Sequence, residues 1–542
     1  MLLWLILGCS ENKDSQSSTK GVQTTQAPSV DRGSGDNAQN QKPAVGRSGQ
    51  QKSPSQHDQN GQHDQNGQNG PRAGNGPKGP PPNGKMGAPG LPSQGGGPNG
   101  TAQMKQPEPF HATVAFDWVD ESLNVENSKS IIWISLDTVH AKRMSIYGGP
   151  AQVPNLNDFT YRAVQFNEAI SHFPETALSH WTMMSSVLPE VHGNVPANGG
   201  SIYTGPTLAD IAKFKEYATG GFIGGVTMTD QASGFGRSFD VYDDQFTFSF
   251  EDMSRDGTEV TERTKAWIQQ QKGSKYFAFA HYFDAHFPYT PTKNLYDPEY
   301  TGVIDGTDAV LRPYRDGQKK PSARDVEHVL ALYDAEITEL DAKIAPLLEL
   351  ADENTIVVVT SDHGESFSHD YYFNHRAGLW DEVTHVPLLI GGGGIKEKIL
   401  VDPQIGLIDV LPTVLDMAGL PKDKRFMGVS RQDLIADITI PSSDIVYSIT
   451  DPWMPSPQFA SRTQNHKWIH GLKEELVYNL HQDPSEQVSL VEIPSVLKDS
   501  KDVYRSLIDS YTQWQTQSPR KRQISDAECQ RLMALGYTTC GQ

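Results

Sequence analysis

Thr355-Ile-Val-Val-Val-Thr360-Ser-Asp362-His363-Gly364 is a run of β-branched residues that ends in an acid, an imidazole and a glycine. The run has no polar alternation, so it reads as a strand buried on both faces, the pattern of a central strand in a parallel sheet. Its polar end places Asp362 and His363 at the carboxyl tip, where open α/β sheets gather their sites. Working outward, Ser130-Ile-Ile-Trp-Ile-Ser-Leu136 is a second such run and ends at Asp137. Tyr276-Phe-Ala-Phe-Ala-His-Tyr-Phe283 is a third, followed by Asp284 and His286, and Val386-Pro-Leu-Leu-Ile-Gly391 is a fourth.

Helical patterns separate these runs, over residues 156–163, 179–188, 259–271 and 323–351. The last is long and amphipathic, with Leu332, Ile337, Leu340, Ile344 and Leu347 near helical spacing. Strands alternating with helices predict a mainly parallel sheet in an α/β sandwich, with polar strand tips that are neighbours in space. Residues 110–118 alternate like an edge strand. Beyond about residue 440 the runs shorten and read as hairpins, at 444–449, 466–470 and 475–479. They predict a small antiparallel sheet, followed by helices over 495–515 and 525–535.

The first hundred residues differ in kind. Residues 10–108 are rich in Gln, Gly, Asn, Pro and Ser and cannot bury enough apolar surface to offset chain entropy, so disorder is expected. They contain a tandem repeat, Gln56-His-Asp-Gln-Asn-Gly61 and Gln62-His-Asp-Gln-Asn-Gly67, a low-complexity spacer whose histidines are weak metal donors at most. Residues 1–9 end an apolar stretch at Cys9 and resemble a bacterial lipoprotein signal, in which the cysteine is acylated. On that reading the spacer tethers the folded part to a membrane, with a reach of roughly 50–60 Å, and the protein belongs to the bacterial cell envelope. The other two cysteines, Cys529 and Cys540, lie close together and suit a disulfide in an exported chain. The net charge of -20 disfavours a nucleic-acid partner or binding to an anionic membrane surface by charge. It does not disfavour a small anionic substrate, because a metal ion supplies its own positive charge.

The chain from about residue 129 to 537 resembles the sulfatase branch of the alkaline phosphatase superfamily. The resemblance rests on many short stretches in order, among them Leu136-Asp-Thr138, Val153-Pro-Asn-Leu156, Pro189-Glu-Val-His-Gly193, Asp362-His-Gly-Glu365, Glu382-Val-Thr-His-Val-Pro387 and Asp409-Val-Leu-Pro-Thr413. It implies an alkaline-phosphatase-like α/β sandwich, with residues 109–440 as the catalytic part and 441–542 as a C-terminal subdomain of the same fold.

It also implies a site. Asp137, Asp362 and His363 fall at metal-ligand positions, although Asp137 also suits a helix cap and Ser-Asp-His-Gly also suits a surface turn. Thr176, in Thr176-Ala-Leu-Ser-His180, stands at the nucleophile position. Sulfatases carry there a cysteine or serine that is converted to an aldehyde hydrate, a conversion not expected of threonine. A threonine hydroxyl still serves as a nucleophile when a metal lowers its pKa, and it also caps a helix. His180 replaces the arginine of sulfatases as a substrate-binding group, and their Gly-Lys-Trp-His stretch is missing, with Gly221-Phe-Ile-Gly-Gly225 in its place. Thr138 replaces the usual second aspartate while His363 supplies nitrogen, which favours zinc or manganese over calcium. Asp284, His286 and His375 are candidate ligands for a second ion, or else plain substrate contacts.

Four functions follow. The first is a metal-dependent hydrolase of phosphomonoesters or phosphodiesters with a covalent Thr176 intermediate. The second is a phosphotransferase acting on envelope lipid or glycan. The third is a sulfatase working without the aldehyde, and the fourth a non-catalytic surface binding protein. Loops over residues 289–320 and 450–464 are expected to select the substrate.

Overall fold

A computed structural model describes residues 114–119, 127–193, 203, 205–246, 254–441, 444–450, 457–471 and 475–511. The chain divides into Met1–Thr101 and Ala102–Gln542, and every described residue belongs to the second unit. Cys9, the 10–108 spacer, Cys529, Cys540 and the helix expected over 525–535 lie outside the described residues.

In chain order the strands of the first part are β1 Ser130–Leu136, β2 Ala163–Ile170, β3 Ala218–Ile223, β4 Val241–Asp243, β5 Tyr276–Tyr282 and β6 Thr355–Thr360, then β7 Ser366–Ser368, β8 Tyr371–Asn374, β9 His385–Gly392, β10 Ile399–Val401 and β11 Ile405–Gly406. Nine of them form one sheet in the order β10-β2-β9-β6-β1-β5-β3-β4, with β11 also on β2. All run the same way except β9, which is antiparallel to both β2 and β6. The fourth apolar run therefore enters the sheet from the carboxyl edge.

Side chains of the central strands alternate between two cores. Ile131 and Trp133 of β1, Phe277 and Phe279 of β5, and Ile356 and Val358 of β6 face the core that contains Trp181, Met183 and Met184 of the helix Thr176–Ser185. Ile132, Ile134, Ala278, Ala280, Tyr282, Val357 and Val359 face the other, built on Leu340, Ile344 and Leu347 of the helix Ala323–Leu348. This is the sandwich that buried, non-alternating strands require. That long helix opens on a capping box, with Ser322 and Asp325 each bonding the other's backbone N–H.

Three local expectations need correction. Of the edge strand expected over 110–118, residues 110–113 lie outside the described residues; in the rest, Phe116 stacks on Trp118 with centroids 4.5 Å apart and Trp118 makes an isolated bridge to Asp423 rather than a strand. The strands β2 and β3 are absent from the sequence reading, because β2 carries Gln165, Asn167 and Glu168 and β3 carries two glycines. Gln165 is nevertheless buried, its amide bonding the Ile146 carbonyl and the Asn167 side chain. Of the helix expected over 495–515, the described residues form a single 3₁₀ turn, Ser495–Leu497, and then a helix Ser500–Ser510, and 512–515 lie outside them.

The second sheet is an antiparallel meander of β12 Val446–Ile449, β13 Phe459–Arg462, β14 His466–His470 and β15 Leu476–Asn479. It joins the main sheet through buried charge. Arg462 clamps Asp381 through two bonds of 3.0 and 2.8 Å and reaches Glu168 of β2 at 2.6 Å. Lys467, only 1% exposed, sits 2.6 Å from Asp381 and 3.0 Å from Glu486. Removing one partner of such a network strands the other charge away from water.

Two predictions follow from this packing. Lys467→Met leaves Glu486 without its cation and lowers stability by about 3–5 kcal/mol, read from the urea midpoint; an unchanged midpoint contradicts the network. Burial pushes the His172 imidazole down from the usual 6.5 to about 4 and that of His192 down to about 3. Both are neutral in the fold, so their contribution is complete above pH 6.5 and is lost as pH falls through the folded values. His172→Gln and His192→Gln flatten that acid limb in urea titrations at stepped pH.

Candidate metal centre and nucleophile

The tips of β1 and β6 bring Asp137, Asp362 and His363 together, with one donor atom of each within 4.8 Å of the others. All three are fully buried. The local hydrogen bonds sort their atoms into used and unused. Oδ1 of Asp362 accepts the backbone N–H of His363 at 2.9 Å and of Thr138 at 3.3 Å, leaving Oδ2. The Nδ1–H of His363 donates to the Gly364 carbonyl at 2.9 Å, leaving Nε2 as a lone-pair donor. Oδ2 of Asp137 faces Nε2 of His281 at 3.1 Å, leaving Oδ1. Those three remaining atoms are buried and have no hydrogen-bond partner. Three orphaned acceptors that converge, two of them anionic, fit a divalent cation.

Electrostatics point the same way. Burial pushes the Asp137 carboxyl well above the ordinary carboxylate range, and the Asp362 charge pushes it further. At Asp362 burial acts in the same sense but is outweighed by His363, His180 and His281, and the group is held low. Two carboxylates this close resist ionising together, and a cation between them removes that resistance. Thr138 holds the approach: its φ of 61° is left-handed, rare for a β-branched residue. Its hydroxyl donates to the carbonyls of Asp137 and Ala285 and so is turned toward the backbone.

Thr176 is the first residue of the helix Thr176–Ser185, and Glu175 before it makes no side-chain cap. The first-turn N–H groups there suit an anion. The Thr176 hydroxyl hydrogen-bonds the Asp137 carboxylate. Ser179, one turn on, donates to the Asp362 carbonyl at 2.7 Å and ties the helix to the β6 tip. The threonine and the three metal-ligand candidates thus form one site.

The remaining predicted residues divide. His180 is fully buried, with Nδ1 2.7 Å from the Thr176 carbonyl and Nε2 2.8 Å from the Ser135 hydroxyl. Nδ1 is engaged within the helix and Nε2 ties the helix to β1, so both ring nitrogens are used in the packing and His180 supports the Thr176–Ser185 helix rather than contacting a substrate. Asp284 also needs correction as a metal ligand. It pairs with Lys343 at 2.5 Å and accepts the Gly257 N–H at 3.1 Å, which turns it toward the helices on the other face of the sheet. His286 and His375 do border the site. The His375 ring lies 4.3 Å from that of His363 and 5.5 Å from that of His286, and its Nδ1 is 3.1 Å from Glu365. Among the described residues these groups form no second three-donor cluster with Asp284. The other such cluster, Glu168, Asp381 and His385, already holds the Arg462 guanidinium against its carboxylates.

Sequence reasoning missed His281, Glu365 and Arg376. His281 sits inside a strand and offers no motif; Glu365 buttresses His375; Arg376 lies 4.0 Å from Glu175 and puts a guanidinium beside the residue before Thr176.

The fold is that of the alkaline phosphatase superfamily. A profile of the family described as Sulfatase matches residues 129–420, more than half of the chain, and the chain belongs to that family. Human arylsulfatase K is 31% identical over 140 residues, 24% of this chain and 25% of the human protein. A Δ4,5-hexuronate-2-O-sulfatase of Bacteroides thetaiotaomicron is 29% identical over 175 residues, 30% of this chain and 35% of that enzyme. The matched part therefore spans well under half the length of these relatives. Among solved structures, a protein in complex with its substrate D-glucosamine-2-N,6-O-disulfate superposes with a TM-score of 0.56 at 16% identity, covering 71% of this chain and 98% of that one. The phosphonate monoester hydrolase of Silicibacter pomeroyi superposes with a TM-score of 0.55 at 17% identity, covering 73% and 100%. At such identities these two establish the shared fold.

Dialysed protein is expected to take up one zinc or manganese ion per chain. Asp362→Asn and His363→Ala are expected to abolish uptake measured by elemental analysis, while Asp284→Asn retains it; a second ion lost with Asp284 contradicts the assignment.

Proposed function

We propose that the chain is a metal-dependent ester hydrolase that cleaves phosphomonoesters or phosphodiesters through a covalent Thr176 intermediate. The observation that carries this reading is the Thr176 hydroxyl, bonded to Asp137 beside three converging donor atoms at the start of a helix. A divalent cation bound there supplies Lewis-acid stabilisation of an oxyanion and of the transferring group. Zinc or manganese suits the donor set better than calcium, since one donor is an imidazole nitrogen and Thr138 offers no carboxylate.

The chain's own groups then divide the work. The Thr176 oxygen, its proton passing to solvent, attacks phosphorus, and the bond from phosphorus to the leaving oxygen breaks with its electron pair. First-turn N–H groups and the Arg376 guanidinium hold the transferring anion. His286 and His375 exchange a proton with the departing alcohol and with the incoming water. Water attacks the phosphothreonine, the bond to the Thr176 oxygen breaks, and phosphate leaves with the hydroxyl restored.

The relatives' names favour a second reading, sulfate ester cleavage on a sugar by the same threonine without the aldehyde. The transferase reading keeps the phosphothreonine and replaces water with an acceptor alcohol of envelope lipid or glycan. In the cell the reading places the catalytic part, residues 109–440 with 441–542, in the bacterial envelope, tethered by the 10–108 spacer to a lipid anchor on Cys9. Among the described residues no helix is long and apolar enough to cross a membrane.

Zinc- or manganese-loaded protein offered aryl phosphate, bis-aryl phosphate and aryl sulfate separates these readings. Turnover of a phosphate ester is expected, with a phosphothreonine at 176 trapped by acid quench and found by mass spectrometry. Thr176→Ala is expected to lower the rate roughly 10³-fold or more. Aryl sulfate as the better substrate favours the second reading, and product that appears only with an added alcohol favours the transferase. A rate indifferent to Thr176→Ala overturns all three.

A further inference from the structure

The face of the sheet beneath the metal centre is apolar until its last layer. On β5 the side chains of Phe277 and Phe279 lie in the core on the side of the helix Thr176–Ser185, and His281 continues that row. Across the sheet His281 is in register with Ser135 of β1, and Ser135 is in register with Thr360 of β6. Ser135, His281 and Thr360 thus form one polar row, each fully buried, directly below Asp137 and Asp362. A buried imidazole at the end of a phenylalanine row costs desolvation without helping the packing.

What it does contribute is one bond. The carboxylate of Asp137 can only accept, so the Nε2–H of His281 donates to its Oδ2, at 3.1 Å. That bond fixes the rotation of the carboxylate and leaves Oδ1 as the atom without a hydrogen-bond partner. The ring is itself held: His180 meets it edge-on at 5.2 Å between centroids, and Phe279 and Phe283 flank it at 6.4 and 6.1 Å. Asp362 is oriented by two backbone N–H groups, and His363 by a backbone carbonyl. Of the two carboxylates, that of Asp137 is the one oriented by a side chain from another strand among the described residues.

We propose that His281 is a positioning residue of the metal centre: by donating to Oδ2 of Asp137 it aims Oδ1 at Asp362 and His363, and so sets the affinity for the divalent cation. The proposal rests on the cation reading of the site. Hydrogen-bonded outer partners of metal ligands typically carry 10–100-fold in affinity.

The test is zinc affinity, measured by competition with a chromophoric chelator, on the full chain. Wild type and Asp362→Asn come first; if neither binds zinc, the cation reading itself fails. Given binding by wild type, His281→Ala is expected to weaken it about 10–100-fold. His281→Gln, whose amide can donate from nearly the same place, is expected to recover most of that loss. Phe279→Leu, a packing change in the same row, is expected to lower the melting temperature of metal-free protein and leave zinc affinity unchanged. Wild-type affinity in His281→Ala overturns the proposal while sparing the cation reading. So does Phe279→Leu weakening zinc as much as His281→Ala, because packing then accounts for the effect.

Discussion

Asp137 and Asp362 stand at the tips of neighbouring strands, fully buried, each with an oxygen aimed into the same space. Two anions in that position are costly unless something positive lies between them. The rest of the site is arranged around this constraint. The left-handed turn at Thr138 brings a backbone N–H to Asp362. The Gly364 carbonyl sets the tautomer of His363. The bond from Ser179 to the Asp362 carbonyl brings the start of the Thr176–Ser185 helix up to the pair.

The same sheet geometry separates groups that chemistry alone would place together. On β5, Phe277, Phe279 and His281 share a face with Asp137 and Asp362, whereas Ala278, Ala280 and Tyr282 face the other core. Asp284 keeps the parity of the second set and meets Lys343 and Gly257. The side chain that reaches the Asp137–Asp362 pair from this strand is therefore its interior histidine, and the aspartate beyond its tip is a helix and lysine partner.

That parity marks how much was legible in advance. Apolar runs ending in Asp137 and in Asp362-His363 expose both their strand character and their tips, because a run buried on both faces has one sequence signature and a sheet gathers polar tips at one edge. Thr176 stands out in the sequence only through the family resemblance, and the structure places it at the first turn of a helix, against Asp137. His281 was not legible, since a polar residue inside an apolar run reads as packing until register brings it against Asp137. His180 was misjudged for a related reason: its spacing from Thr176 says that it is four residues along a helix, but not that the helix turns that face to Ser135. The strands β2 and β3 escaped because Gln165 and paired glycines break the apolar pattern, and only tertiary bonds such as that of Gln165 to the Ile146 carbonyl make them buried strands.

Membership of the sulfatase family and a threonine at the nucleophile position pull the expected chemistry in different directions, and the geometry around that threonine is what joins them. Diffraction from crystals grown with zinc, recorded on both sides of the zinc absorption edge, tests the account most directly. The account predicts one anomalous peak bounded by Oδ1 of Asp137, Oδ2 of Asp362 and Nε2 of His363, with the Thr176 oxygen beside it. A peak elsewhere, or that oxygen turned away from the ion, contradicts it.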